Sequence, residues 1–248
     1  MRATSRDYPP GAGRFGTGAA GTAVVVDLSY AVSEAGSGRC AVHGQRSFAA
    51  ASVVKVGILA ALLLRSARDE GRAPGPAERA YAEAMIRRSD NDAASALWAA
   101  VGGAAGLDAA LARLGLTETA ADRAWGRTRT TARDQVTLLG AVFGPGNGVL
   151  DEDARTYIRT LMGQVVAGQD WGVSAAGSGA ALKNGWMPLD ATGLWAVHSV
   201  GRVRVADGRR LLIAVLSEGH ATKEAGIAVV EDVAREVAAG FGGDGRGR

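Results

Sequence analysis

Two residues in this chain have the types and the spacing for nucleophilic chemistry. They are Ser52 and Lys55, in the stretch Ala51-Ser52-Val53-Val54-Lys55-Val56-Gly57-Ile58-Leu59-Ala60-Ala61-Leu62-Leu63-Leu64. An α-helix turns once in 3.6 residues, so positions i and i+3 share a face, and the hydroxyl and the amine can meet. Everything else in that stretch is apolar, and burial disfavours a charged amine. A neutral amine beside a serine hydroxyl is a base beside a nucleophile. Composition adds weight to position 55. Of 28 Lys+Arg, only Lys55, Lys183 and Lys223 are lysine. Arginine serves where plain positive charge suffices; lysine can also give up its proton when buried. Taken alone, the tetrad also reads as a chance Ser and Lys on a core helix.

Two more polar clusters stand out: Ser89-Asp90-Asn91 and Lys183-Asn184-Gly185. The chain has three asparagines, at positions 91, 147 and 184, and two of them fall in these clusters. Each cluster has a plain structural reading. Ser, Asp and Asn are turn and cap formers that join two helices, and Lys183-Asn184-Gly185 also suits a strand end with a turn. The three histidines, His43, His198 and His220, form neither a metal-ligand spacing nor a triad. His43 and His198 fall in strand patterns, which favours surface or core roles. Hairpin logic also puts His198 near the Lys183 strand, where it could serve at the rim of a site.

The elements that must position these residues follow from pattern. Thr22–Tyr30 is rich in β-branched residues and reads as a strand; Arg39–Gly44 reads as its hairpin partner across the Glu34–Gly38 turn. The helix opening at Ser52 is expected to end near Glu70-Gly71. After a Pro-containing loop, Pro76 suits a helix start, and that helix reaches Arg87-Arg88. A further helix runs from Asp92 past Trp98 and breaks at Val101-Gly102-Gly103. Leu107–Leu114 is a short helix and Leu116–Arg129 is irregular. Thr130-Thr131 caps a helix over Ala132–Phe143, and Asp151–Val166 is amphipathic, with Asp151 and Glu152 at its positive end. Ala180–Gly185, Leu194–Val205 and Leu211–Ser217 read as strands, the last two joined at Asp207-Gly208, and Thr222–Ala239 closes the chain as a helix. The terminal parts most economically form one antiparallel sheet, the central helices a separate lobe, and the cleft between them the site.

A chain of 248 residues, 47% hydrophobic and 21% charged, is an ordinary globular protein. Its net charge of +3 comes from scattered arginines with no dense stripe, so nucleic-acid binding is not indicated. With one cysteine, Cys40, no intrachain disulfide is open to it, and Cys40 reads as a small buried hydrophobe in a strand. Val53–Leu64 is too short to span a membrane. Residues 1–21 lack the apolar core of a signal peptide and read as a flexible leader. As written, the chain is expected in the cytoplasm, or in the cell envelope or outside if an export segment has been trimmed. No cofactor or metal is expected, and the oligomeric state is left open.

The three clusters together resemble the S-x-x-K, S-D-N and K-[TS]-G motifs of penicillin-binding proteins and class A β-lactamases. Met85-Ile86 and Ala93-Ala94 around the second motif, Thr130-Thr131-Ala132, and Leu211–Ser217 also resemble that family. Trp125-Gly126, Gln169–Gly172 and Lys183–Pro188 look like an actinobacterial branch of related serine hydrolases. The resemblance covers residues 22 to 239. It implies a mixed α/β (α+β) β-lactamase/transpeptidase-like fold: an antiparallel sheet flanked by helices, plus an all-helical lobe. The lobes would be residues 22–50 with 170–239, and residues 51–169, with a flexible tail over 240–248.

The resemblance also implies roles. Ser52 would attack a carbonyl and form an acyl-enzyme, Lys55 would take its proton, and Ser89 would relay a proton to the leaving nitrogen. Asn91 would orient Lys55 and bind a substrate amide; Lys183 would supply positive potential and attract a carboxylate. The backbone N–H groups of Ser52 and Trp186 would form the oxyanion hole. Asn184, Gly185, Trp186 and Met187 would line the substrate site. Asp90 would brace its loop. The chain departs from the family in three places. Asn184 replaces the usual Thr or Ser, so carboxylate recognition changes. The short Leu116–Arg129 region holds only Glu118 and Asp122 as carboxylates, neither in the motif of the deacylating glutamate, so deacylation should be slow. Trp186 and Met187 are bulky at the rim. The expected partner is a small-molecule or peptide substrate that could bear a carboxylate: a β-lactam, a D-alanyl peptide or a related ester. The alternative is a catalytically idle protein of the same fold that binds β-lactams or muropeptides.

Overall fold

The structure is a computed structural model that describes residues 26–68, 73–145 and 148–241. The expected leader over 1–21, residues 22–25 of the expected first strand, the helix end at Glu70-Gly71 and, from residue 242 on, the tail expected over 240–248 lie outside the described residues. The strands are β1 (Asp27–Glu34), β2 (Cys40–His43), β3 (Phe48–Ala49), β4 (Arg129–Thr130), β5 (Ser178–Pro188), β6 (Trp195–Arg204) and β7 (Arg210–His220). Five of them form one antiparallel sheet in the order β2-β1-β7-β6-β5. β3 and β4 make a separate two-stranded pair.

Both faces of the large sheet are covered. Successive side chains of a strand point to opposite faces. On β7, Leu211, Ile213 and Val215 pack with Val230, Ala234 and Val237 of α7 (Lys223–Gly240). Leu212, Ala214 and Leu216 face the other way, into a core shared with the remaining helices. A strand buried on both faces reads as an unbroken apolar run, and Leu211–Leu216 does so for this reason.

The other helices are α1 (Val54–Arg68), α2 (Pro76–Arg87), α3 (Asn91–Ala100), α4 (Gly103–Arg113), α5 (Ala132–Phe143) and α6 (Glu152–Met162). From Val56 to Leu64, α1 is hydrophobic all round because that part is buried: Val56, Ile58, Leu59 and Leu62 have no exposed surface. Burying each such side chain stabilises the fold by about 1.5–3 kcal/mol. Side-chain caps start several helices: Asp90 Oδ1 accepts from Ala93 N (2.8 Å), Thr131 Oγ1 from Asp134 N (3.2 Å) and Asp151 Oδ1 from Ala154 N (2.7 Å).

Several expectations shift. α4 starts at Gly103 rather than Leu107, because Gly102, at φ 93°, turns the chain straight into the next helix instead of ending order. α6 stops at Met162, before Gly163, not at Val166. Gly240, expected in the tail, is the last residue of α7. Cys40 is exposed rather than buried, since β2 is the outer strand of the sheet. Among the described residues no single helix is long and apolar enough to cross a membrane.

Candidate active site

Ser52 sits in a 3₁₀ turn, Ala51–Val53, that runs directly into α1. The residue before it, Ala51, has φ 46°, a left-handed conformation that costs a non-glycine residue about 1–2 kcal/mol. Such strain persists only where the surroundings hold it. Here Ala50 N donates to Thr128 O (2.8 Å), and Val53 N to Ala50 O (3.1 Å). β5 closes the third side. A Cβ on Gly185 would stand 2.8 Å from Ser52 N and 2.9 Å from Val53 N, so only glycine lets the strand lie against the turn.

Lys55 has no exposed surface. Its Nζ donates to Ser89 O (2.7 Å), Asn91 Oδ1 (2.7 Å) and Ser89 Oγ (3.3 Å). Three acceptors match the three protons of an ammonium. Helix spacing allowed Lys55 to meet the Ser52 hydroxyl. Instead, among the described residues, its hydrogen bonds go to the second motif, because that loop offers the acceptors. Burial lowers the Lys55 pKa to about 8, with the Asp90 charge acting in the opposite sense. The face of the Trp125 ring lies 4.8 Å from the same nitrogen, and Trp125 Nε1 donates to Ser95 Oγ (3.2 Å).

Ser89 also adopts a left-handed backbone, φ 57°. It offers both its carbonyl and its hydroxyl to Lys55. The hydroxyl has a second lysine: Lys183 Nζ lies 2.9 Å from Ser89 Oγ and donates to Asn184 O (2.8 Å). Burial, then the nearby Lys55 charge, hold the Lys183 pKa well below its ordinary value. The two lysines meet on one hydroxyl, and the charge on Lys55 disfavours a second charge on Lys183. Asp90 takes the structural part expected of it, as the N-cap of α3.

The K-x-G strand divides its residues between two faces. Lys183, Gly185 and Met187 share one face, and Asn184 and Trp186 the other, since strand side chains alternate. Asn184 is fully buried and both its amide protons are engaged, by Gln169 O (3.0 Å) and Trp171 O (2.9 Å). The expected substrate contact from the Asn184 side chain is therefore corrected: the amide braces the 169–172 loop. Its Oδ1 is buried without a hydrogen-bond partner, and an acceptor alone does not favour a carboxylate. The expected place of the Trp186 side chain is corrected too. Its ring lies 5.9 Å from that of Trp171 and under Lys223 Nζ, 3.9 Å from the ring centroid, on the α7 side of the sheet.

Neither carboxylate of the irregular stretch turns to Ser52 or Lys55. Glu118 accepts from Thr131 Oγ1 (3.2 Å) and lies 3.9 Å from Arg133, and Asp122 Oδ1 accepts from Ala124 N (2.9 Å). His198 is buried in the floor of the site, which corrects the rim alternative. Its Nε2 meets Ala49 O at 2.9 Å and its Nδ1 accepts from Ser217 N at 3.1 Å. Burial lowers its pKa to about 4; the Ala49 and Val197 carbonyls act against this, and His220 and Arg129 with it. Trp125 and His198 are the site-side residues that residue type alone did not assign. A tryptophan in an otherwise polar loop was the available signal for the first. For the second there was only a histidine in an apolar strand.

The profile described as "Beta-lactamase enzyme family" (Beta-lactamase2) matches residues 78–241. That match begins after Ser52 and Lys55 and includes the second and third motifs. No curated protein sequence matches the chain. Among solved structures, PBP-A is similar at 25% identity and a TM-score of 0.73, over 87% of this chain and 90% of that one. A mutant of PBP-A solved as an acyl-enzyme complex with penicillin G matches with a TM-score of 0.72 at the same identity and coverage. The TLA-1 extended-spectrum β-lactamase has the same fold at 17% identity and a TM-score of 0.75, over 86% and 92% of the two chains.

Proposed function

The chain belongs to the β-lactamase enzyme family, and we propose that it works by acyl transfer through Ser52, with slow release of the acyl group. The observation that carries this reading is the hydrogen-bonded line Asn91–Lys55–Ser89–Lys183, placed beside a strained serine turn. Ser52 Oγ attacks the carbonyl carbon of an amide or ester, and its proton passes to Lys55 in the neutral form. The negative charge on the carbonyl oxygen is met by backbone N–H groups. Ser52 N is at the first turn, where helical donors lack intrahelical partners. Trp186 N is next to Gly185, which abuts that turn. When the C–N bond breaks, the leaving nitrogen takes a proton from Ser89 Oγ, and the flanking lysines replace it. Asn91 Nδ2 makes no hydrogen bond among the described residues and is available to a substrate amide.

Slow release is supported by the irregular loop. Glu118 and Asp122 are engaged elsewhere, and the group over Lys55 is an indole, which cannot accept a proton from water. Penicillin G is the first substrate to try, because the PBP-A mutant was solved with it as an acyl-enzyme. Stopped-flow with a chromogenic cephalosporin tests the kinetic part. A burst approaching one equivalent, followed by a slow steady rate, is expected; fast linear turnover without a burst contradicts it.

A further inference from the structure

We infer that His198 is a positioning residue for the nucleophile: its buried imidazole ties the strand that leads into the Ser52 turn to the central sheet. The inference rests on reading Ser52 as the nucleophile. His198 pairs with Gly185 on one side and Leu216 on the other. Cross-strand partners share a face, so the imidazole stands on the face where Gly185 meets Ser52. Its tautomer follows from its neighbours. Ser217 N–H points at Nδ1 (3.1 Å), which must accept, so Nε2 carries the proton and donates to Ala49 O (2.9 Å). Ser217 is itself fixed, since its Oγ donates to Val197 O (2.7 Å) and accepts from His220 Nε2 (2.9 Å).

Ala49 is two residues before the strained Ala51. Among the described residues, His198 makes the one side-chain hydrogen bond to the backbone of residues 49–53. A histidine that merely filled the core would be interchangeable between its two bonds. A positioning histidine depends on the one to Ala49.

Two variants separate these bonds. His198→Gln can place an amide N–H where Nε2 stands but offers Ser217 N nothing. His198→Asn can accept from Ser217 N but is too short to reach Ala49 O. Acylation by penicillin G is followed with the rate at saturation and the binding constant measured separately, alongside thermal melting. The Gln variant is expected to acylate within about threefold of wild type. The Asn variant should acylate about 100-fold more slowly at unchanged binding, the scale of a displaced reacting group, although both melt lower by similar amounts. Equal rates in the two variants, or rates that simply follow melting temperature, overturn the inference. Should the Asn variant fail to fold, nitrogen-15 NMR of wild-type imidazoles at neutral pH decides. A neutral His198 protonated on Nε2 and slow to exchange supports the tie; an Nδ1–H or charged ring overturns it. If the tautomer is as stated but wild type takes no acyl group, the fault lies in the reading of Ser52, not in the His198 tie.

Discussion

The two faces of strand β5 carry residues one position apart in sequence and different in what they touch. On one face, Lys183 reaches Ser89 Oγ and Gly185 makes room for the Ser52 turn. On the other, Asn184 holds the 169–172 loop, and Trp186 contacts the Trp171 ring and carries Lys223 Nζ over its own ring. The first face is polar, buried and aimed at a serine. The second is architecture that resembles a substrate rim only in the one-dimensional sequence. The lesson is that a motif triplet on a strand is not one unit: alternation splits it, and a substitution at its middle residue alters support before it alters chemistry.

The largest test of that contrast is Gly185→Ala. A Cβ there would press on the backbone nitrogens of Ser52 and Val53, and backbone cannot rotate away. Acylation should slow by about 100-fold with binding of substrate less affected; a rate within a few-fold of wild type would show that the turn does not depend on this contact. Next comes pH. In the proposed mechanism Lys55 must be neutral to take a proton, and burial lowers its pKa to about 8. The acylation rate should therefore rise with pH through about 8, and at pH 7 should be about a tenth of its plateau. A rate flat from pH 6 to 9 would remove Lys55 as the base. The smallest effect on rate belongs to Asn184→Thr. It deletes two hydrogen bonds to loop carbonyls, worth about 0.5–1.5 kcal/mol each. Thermal melting should drop while acylation stays within about threefold; a large loss of acylation at unchanged stability would put Asn184 back among the substrate contacts.

Part of the proposed site was legible because lysine and asparagine are rare types in this chain. Lys55 and Lys183 stand out among arginines, and Ser89 and Asn91 flank Asp90, the N-cap of α3. The structure joins Lys55, Ser89, Asn91 and Lys183 by hydrogen bonds. What was not legible depends on facing and on long-range pairing. The inward turn of Asn184 follows from its place on β5 and from a loop thirteen to fifteen residues earlier in the chain. The β3–β4 pair is two residues long on each side, too short for a periodic signal. Cys40 looked like core because a strand pattern does not announce that its strand is outermost. His198 looked like any histidine in a strand until the carbonyl of Ala49, 149 positions away, was found against it.

Acyl transfer through Ser52 leaves a covalent adduct, and intact-protein mass spectrometry reads it directly. Wild type and Ser52→Ala are mixed with penicillin G and followed in time. Acyl transfer through Ser52 predicts a mass increase equal to the whole drug in wild type, persisting over many minutes, and none in Ser52→Ala. An adduct of the same size on Ser52→Ala, or consumption of the drug at the same rate by both proteins, would contradict it.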